Sequence, residues 1–267
     1  MIKLIDTLSY HNQLRAISPM WKSGFAVVML LLSYVTHPAV QIILTVWMAI
    51  WTIGYARIPM KNYFLITGAA CLFFVASLPA MIIEIRPLYE NVRTSNVIIS
   101  YPFLSWSAFV TSSGIVLAGK LFIRILASLS CMTFLMFSTP FSELLQVMKK
   151  VRVPSLVLEI MLIMYRFLFI LSEIAHDMYV AQRSRGGQTG FRNRLKDTAI
   201  LIVRMFIKTM QRYKALSDGL LSRGFTDIIQ MAPYQAKPIP RRYKVESCIG
   251  VALLLLLEIW LRWGNIA

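Results

Sequence analysis

The chain has 267 residues, 57% of them hydrophobic, and its 28 Lys and Arg against 12 Asp and Glu give a formal net charge of +16. Soluble domains are usually about 45–50% apolar, so this composition, with a mean hydropathy of +0.64, sets aside an ordinary soluble enzyme and points to a bilayer. The positive excess would suggest nucleic acid in a soluble protein. In a membrane protein it marks cytoplasmic loops, which retain Lys and Arg.

Residues 1–22 are polar and basic. Asp6, His11, Arg15 and Lys22 precede the first apolar stretch, so no cleavable signal is read, and that stretch is expected to stay as a transmembrane helix. Residues 24–34 and 40–55 are apolar and are separated by His37-Pro38. Proline disfavours helix in the residue before it, so the pair predicts a helical hairpin. Both arms are short against the roughly 20 residues a bilayer asks, which predicts tilted or incomplete spans. Arg57 and Lys61 form a short basic loop, and residues 63–83 a third span. Residues 84–107 are a polar connection of nearly balanced charge (Glu84, Arg86, Glu90, Arg93).

Residues 111–137 form a fourth span containing Lys120 and Arg124, one turn apart on one face. Such residues are costly in lipid, and the reading preferred here is that they snorkel or face other helices. Residues 246–263 are the last span, with Trp260 and Trp263 as interfacial anchors. Cys71, Cys131 and Cys248 all lie in apolar runs without metal or redox spacing and read as small buried hydrophobes.

Between the fourth and last spans, residues 154–180 are apolar nearly all round. Glu159, Arg166 and Glu173 recur every seven positions and form one stripe. A helix there is expected to lie at the inner membrane face, with the stripe paired inside the protein. Were it to cross the bilayer instead, the second basic block would fall outside, against the charge rule. Residues 195–221 are an amphipathic basic helix: Leu195, Ala199, Ile202, Phe206, Tyr213, Leu216 and Leu220 share helical spacing, and Arg204, Lys208 and Arg212 take another face. It could bind anionic lipid or present charge to a partner.

Each of these helices ends in the same tripeptide, Ser184-Arg185-Gly186 and Ser222-Arg223-Gly224. Arginine is favoured at a helix C-terminus by the dipole, and glycine supplies a left-handed cap. Two ordinary caps would look like this. A projecting Arg fork would also make strong bidentate contacts in an acidic or carbonyl-lined groove, and two such prongs suit a pair of partner subunits. The loop Gly186-Gly187-Gln188-Thr189-Gly190 lacks the lysine of a phosphate-binding loop and reads as a helix end and reversal.

The expected fold is an all-α, polytopic membrane protein with about five transmembrane helices and two long cytoplasmic helices. Residues 1–138 hold the N-terminal spans, 139–245 the cytoplasmic region and 246–267 the C-terminal span. Five spans put the N-terminus, Arg57/Lys61, Lys149/Lys150/Arg152 and residues 181–245 together on the cytoplasmic side. No catalytic residues, cofactor or metal site are read. His11, His37 and His176 are scattered without ligand spacing, and no intramembrane nucleophile–base pair or His-Glu-x-x-His motif is present. Glu159 and Glu173 about Arg166 suggest charge satisfaction. A nucleic-acid partner is not expected, because aromatic and basic residues do not interleave.

With these features in view, the chain resembles the transmembrane T component of energy-coupling factor (ECF) transporters, whose hallmark is two Ala-Arg-Gly signatures ending crossed cytoplasmic coupling helices. Here both read Ser-Arg-Gly: the first position stays small, and Arg and Gly match. Ile5-Asp6-Thr7-Leu8-Ser9-Tyr10, Leu14-Arg15, Pro19 and Lys22 are similar to the start of the cobalt-type (CbiQ) subgroup. So are Thr139-Pro140-Phe141, Leu144-Leu145, Arg152-Val153-Pro154 and Met164-Tyr165-Arg166, with Phe167-Leu168-Phe169 following where many T components have proline. A nickel relative would look very similar. The resemblance implies a scaffold, not an enzyme, in a multi-pass cytoplasmic-membrane importer. Its partners would be two ABC-type ATPases, docked at Ser184, Arg185, Gly186 and Ser222, Arg223, Gly224, and a substrate-binding membrane S component that holds the cobalt. The alternatives are the same role in a nickel or vitamin importer, or a basic lipid-binding protein at the membrane surface.

Overall fold

A computed structural model describes residues 2–87, 97–103, 106–187, 189–224 and 239–264. It has two compact units. One comprises residues 1–144 and 236–267, the other 145–235.

The first unit is helical, as the hydropathy requires. Helix α1 (Ile2–Tyr10) and a 3-10 turn (Gln13–Ala16) lead into α2 (Pro19–Val35), α3 (Pro38–Ile50), α4 (Met60–Ile82) and α5 (Ser112–Ser138). Helix α6 (Phe141–Lys150) leaves the unit, and α9 (Arg241–Gly264) closes it. The hairpin turns where His37-Pro38 predicts. Pro38 opens α3, and the Gln41 side-chain amide Nε2 donates to the carbonyls of Ser33 and Thr36 at 2.8 and 2.9 Å. Helix α3 runs on into a π-helical turn, Trp51–Tyr55.

Four helices among the described residues are long and apolar enough to cross a membrane: Pro38–Tyr55, Met60–Ile82, Gly114–Ser138 and Ser155–Ser184. Pro19–Val35 is apolar but shorter, and α9 carries charge near both ends. The last of the four belongs to the second unit, where the sequence suggested a helix lying along the membrane face.

Helix α5 is the post around which α1, α2, α3 and α4 pack. Its inner face is Ala127, Cys131, Phe134 and Phe137, all fully buried. Phe25 meets Phe134 edge-on at 5.8 Å and stacks on Trp21 at 5.6 Å. Trp51 and Tyr55 extend this aromatic cluster to Tyr243 on α9. Polar links join the same helices: Tyr63 to Ser130 at 3.0 Å, and Ser130 Oγ to the Thr45 carbonyl at 3.3 Å. Cys131 is buried as expected, but Cys248 is exposed: it lies on the outward side of α9, whose buried face is Ser247, Gly250, Leu254 and Glu258.

The connection between α4 and α5 is not plain loop. It forms a three-stranded antiparallel sheet of β1 (Ile83–Pro87), β2 (Val97–Phe103) and β3 (Trp106–Thr111) in the order β1-β3-β2. Ile83 pairs with Val110 and Pro87 with Trp106, and β2 carries an irregularity between Val97 and Ile99. Glu90 and Arg93 of the expected polar connection lie outside the described residues.

Helix α9 approaches α3 closely at one point. A Cβ on Gly250 would stand 2.7 Å from the Trp47 ring, which no real side chain tolerates. Gly250→Val should therefore push α9 off α3. The expected cost is about 1–3 kcal/mol of overpacking, read as a lower unfolding temperature of the purified chain, with Gly68→Val, where nothing lies within 4 Å, as the control.

Candidate functional site

The second unit contains two long helices, α7 (Ser155–Ser184, 30 residues) and α8 (Phe191–Leu221, 31 residues). Gly190, at φ +75°, precedes α8. Gln182 Nε2 donates to the Asp197 carbonyl at 3.0 Å and ties the end of α7 to the start of α8.

The first tripeptide ends α7 in a Schellman cap. The Gly187 N–H donates to the Gln182 carbonyl at 3.0 Å and the Gly186 N–H to the Arg183 carbonyl at 3.1 Å, which satisfies carbonyls a helix end leaves open. Gly186 has φ +76°, a conformation glycine takes without steric cost. The second tripeptide shares the glycine turn of the first. Arg223 N–H reaches the Leu220 carbonyl at 3.1 Å and Gly224 N–H the Leu221 carbonyl at 3.0 Å, and Gly224 has φ +70°. Each serine folds back on its own helix, Ser184 Oγ to the Val180 carbonyl at 2.9 Å and Ser222 Oγ to the Gly219 carbonyl at 3.0 Å. The two arginines are left. Both are exposed, and among the described residues neither guanidinium has a hydrogen bond or ion pair.

The tripeptides are not brought together. They stand at opposite ends of α8, whose 31 residues measure about 46 Å at roughly 1.5 Å each. A single compact ligand does not span that distance; two separate macromolecular surfaces do. Gly187 belongs to the first end as well. A Cβ there would lie 2.8 Å from the Gln182 carbonyl oxygen and 3.0 Å from Asp197 Oδ2. The sequence shows only a Gly-Gly pair, and the close approach appears once α8 is in place.

The residues of the α7 stripe share one side of the helix. Glu159 is half-buried, Arg166 and Glu173 are exposed, and among the described residues no ion pair joins them. Seven residues of helix put about 10 Å between neighbours in the stripe, too far for direct pairing. Among the described residues no group of three or more His, Cys, Asp and Glu is gathered to hold a metal ion.

Four helices long and apolar enough to cross a membrane, with α7 and α8 gathered in a second unit, define a multi-pass membrane protein. The sequence profile of the CbiQ family, cobalt transport protein, matches residues 12–234, and the chain belongs to that family. It is 25% identical over 231 residues to the cobalt transport protein CbiQ of Salmonella typhimurium, covering 81% of this chain and 94% of the relative. It is 27% identical over 254 residues to an uncharacterized protein of Methanocaldococcus jannaschii, covering 95% and 92%. Over 57% of its length it is 30% identical to the energy-coupling factor transporter transmembrane protein EcfT of Leuconostoc gelidum, of which 62% is covered.

The caps make a direct prediction. Gly186→Val and Gly224→Val force a β-branched residue into positive φ and should each destabilise the helix end by about 1–2 kcal/mol. Gly→Asn at either position should be nearly neutral, because Asn accepts that conformation. Limited proteolysis at residues 183–190 and 221–224 reads both.

Proposed function

We propose that this chain is the transmembrane coupling (T) subunit of an ECF-type importer for cobalt ions. It links ATP hydrolysis by two cytoplasmic ABC-type ATPases to a substrate-binding membrane S component. The observation that carries this reading is the pair of exposed arginines, Arg185 and Arg223, unpaired among the described residues and each followed by a positive-φ glycine at the end of one of two helices of nearly equal length. Family membership and the likeness to EcfT support the same role, and the family description supports cobalt over nickel or a vitamin.

In this reading the caps aim and the arginines bind. Each fork engages one ATPase in a groove of carboxylates or carbonyls, where charge-assisted contacts are strongest. Because Gly186 and Gly224 hold the chain in one tight turn, a displacement of the bound ATPase moves the helix rather than bending a loose tail. Closing and opening of the ATPase pair thus becomes motion of α7 and α8, and that motion reorients the S component. Residues 139–245 form the coupling region, flanked by the membrane spans of residues 1–138 and 246–267. The N-terminus is cytoplasmic, since that orientation keeps Arg57, Lys61, Lys149, Lys150 and the 181–245 block inside. An α7 that crossed the bilayer would reverse the block, so it lies at the inner face. Hydrolysis belongs to the ATPases and the ion to the S component.

Arg185→Glu with Arg223→Glu should detach both ATPases while the chain still inserts, and metal uptake should stop. Each single substitution should weaken the complex by about 1.5–3 kcal/mol, roughly ten- to a hundredfold. Co-purification in mild detergent and uptake of radiolabelled cobalt measure the two effects. A double variant that keeps the ATPases and still transports would overturn the docking role.

A further inference from the structure

Lys120 and Arg124 are the charges the docking reading does not use. Both lie in α5 within the apolar stretch Gly114–Ser138, and neither packs inside the bundle: both are exposed. They lie on one ridge with Val116, Met132 and Met136, which are also exposed, and half-buried Ser128. A Cβ at Gly119, beside that ridge, would touch nothing within 4 Å. The α5 residues that fill the core, Ala127, Cys131, Phe134 and Phe137, lie further along the helix, toward its C-terminal end.

Among the described residues neither cation has a hydrogen bond or ion pair. The packed helices α2, α3 and α4 and α5 itself contain no Asp or Glu. Asp6 of α1 belongs to the far end of α5, where Asn12 bonds the Phe137 carbonyl at 2.7 Å, thirteen residues or about 20 Å from Arg124. Side chains on a helix lean toward its N-terminus, so the Arg124 guanidinium lies back over Lys120. Like charges four residues apart repel, and more strongly where water is absent.

Depth decides what neutralises them. Lys120 is six residues from Gly114, about 9 Å, and its stem can carry the ammonium to the membrane surface. Arg124 is ten residues from Gly114 and fourteen from Ser138, about 15 and 21 Å. That is near the middle of a hydrocarbon layer about 30 Å thick, out of reach of a lipid phosphate. We infer that the Val116–Lys120–Arg124–Met132 ridge of α5 is a docking face for a transmembrane helix of another subunit, and that this helix carries a carboxylate at mid-bilayer depth that bridges Lys120 and Arg124. Apolar ridge residues on either side suit ridge-into-groove packing, and an intramembrane Asp or Glu is stable only when paired in this way. This deepens the reading of the chain as one subunit of a membrane complex.

The test uses the complex co-expressed with its membrane partner and ATPases. Lys120→Leu with Arg124→Leu should leave the chain inserted and its own unfolding temperature undiminished, because leucine suits lipid better than a bare cation. The membrane partner should be lost from the detergent-purified complex, with affinity lower by roughly thirtyfold or more. The ATPases should stay. Lys120→Arg with Arg124→Lys keeps the charges and should keep the partner. A photo-crosslinking residue at Val116 should mark a transmembrane segment of the partner containing Asp or Glu, and Asp→Asn or Glu→Gln there should reproduce the loss. Retention of the partner by the double leucine variant, or crosslinks to lipid or to this chain's own helices alone, would overturn the inference and leave the Arg185 and Arg223 reading untouched. Retention of ATPases by the Arg185→Glu and Arg223→Glu variant would do the reverse.

Discussion

Lys22 is fully buried, and its ammonium donates to the Ser138 carbonyl at 2.8 Å and faces a Glu143 carboxylate oxygen at 3.3 Å. Taking an ammonium out of water costs several kcal/mol unless its partners are well placed. The cost is met only when the first turn of α2, the last residue of α5 and the first turn of α6 stand together in one register. Since α5 is the post on which α1, α2, α3 and α4 pack, fixing its end fixes the bundle. The other end of α2 has a matching device. Glu258, almost wholly buried, accepts the His37 N–H at 2.8 Å and the Arg262 Nε–H at 3.0 Å, which anchors α9 on the hairpin turn. Between these ionic fasteners the contacts are mainly aromatic and aliphatic, with the hydrogen bonds of Gln41 and of the Tyr63–Ser130–Thr45 set as polar links.

Much of this was legible in the residues. His37-Pro38 announces the hairpin because proline constrains its predecessor and then opens α3. The spans at residues 63–83 and 111–137 fall within a few residues of α4 and α5, since long apolar runs carry their own boundaries. The repeated Ser-Arg-Gly announces two helix ends, because glycine after an arginine is what a left-handed cap needs. What stayed hidden depends on residues far apart in the chain. The sheet between α4 and α5 requires Ile83 to find Val110, and a charge-balanced stretch gives no sign of that pairing. Lys22 reads as a surface cation until Ser138 and Glu143 arrive beside it. The seven-residue spacing on α7 puts Glu159, Arg166 and Glu173 on one stripe about two turns apart, so the spacing by itself names no pairing among the three.

The two units are built on different principles. The first closes a core of its own around α5. In the second, α7 buries only Leu158 and Ile174 and α8 buries none of its residues; on the proposed coupling role the apolar side chains of α8 would serve surfaces supplied by partners. This division suits a part that transmits movement. On the proposed role the bundle would need a fixed internal register, whereas α7 and α8 would need freedom to follow the ATPases, with the glycine caps keeping the point of grip stiff.

The bare state of α8 also bears on how a cell handles this protein. A helix of 31 residues with nothing buried opens locally at little free-energy cost, and opened segments are what membrane-bound proteases seize. Partners that bind only the closed helix hold it closed by mass action. In the proposed complex, a copy made in excess of its companions would thus be short-lived, and the scarcest subunit would set the level of the whole assembly without a dedicated regulator.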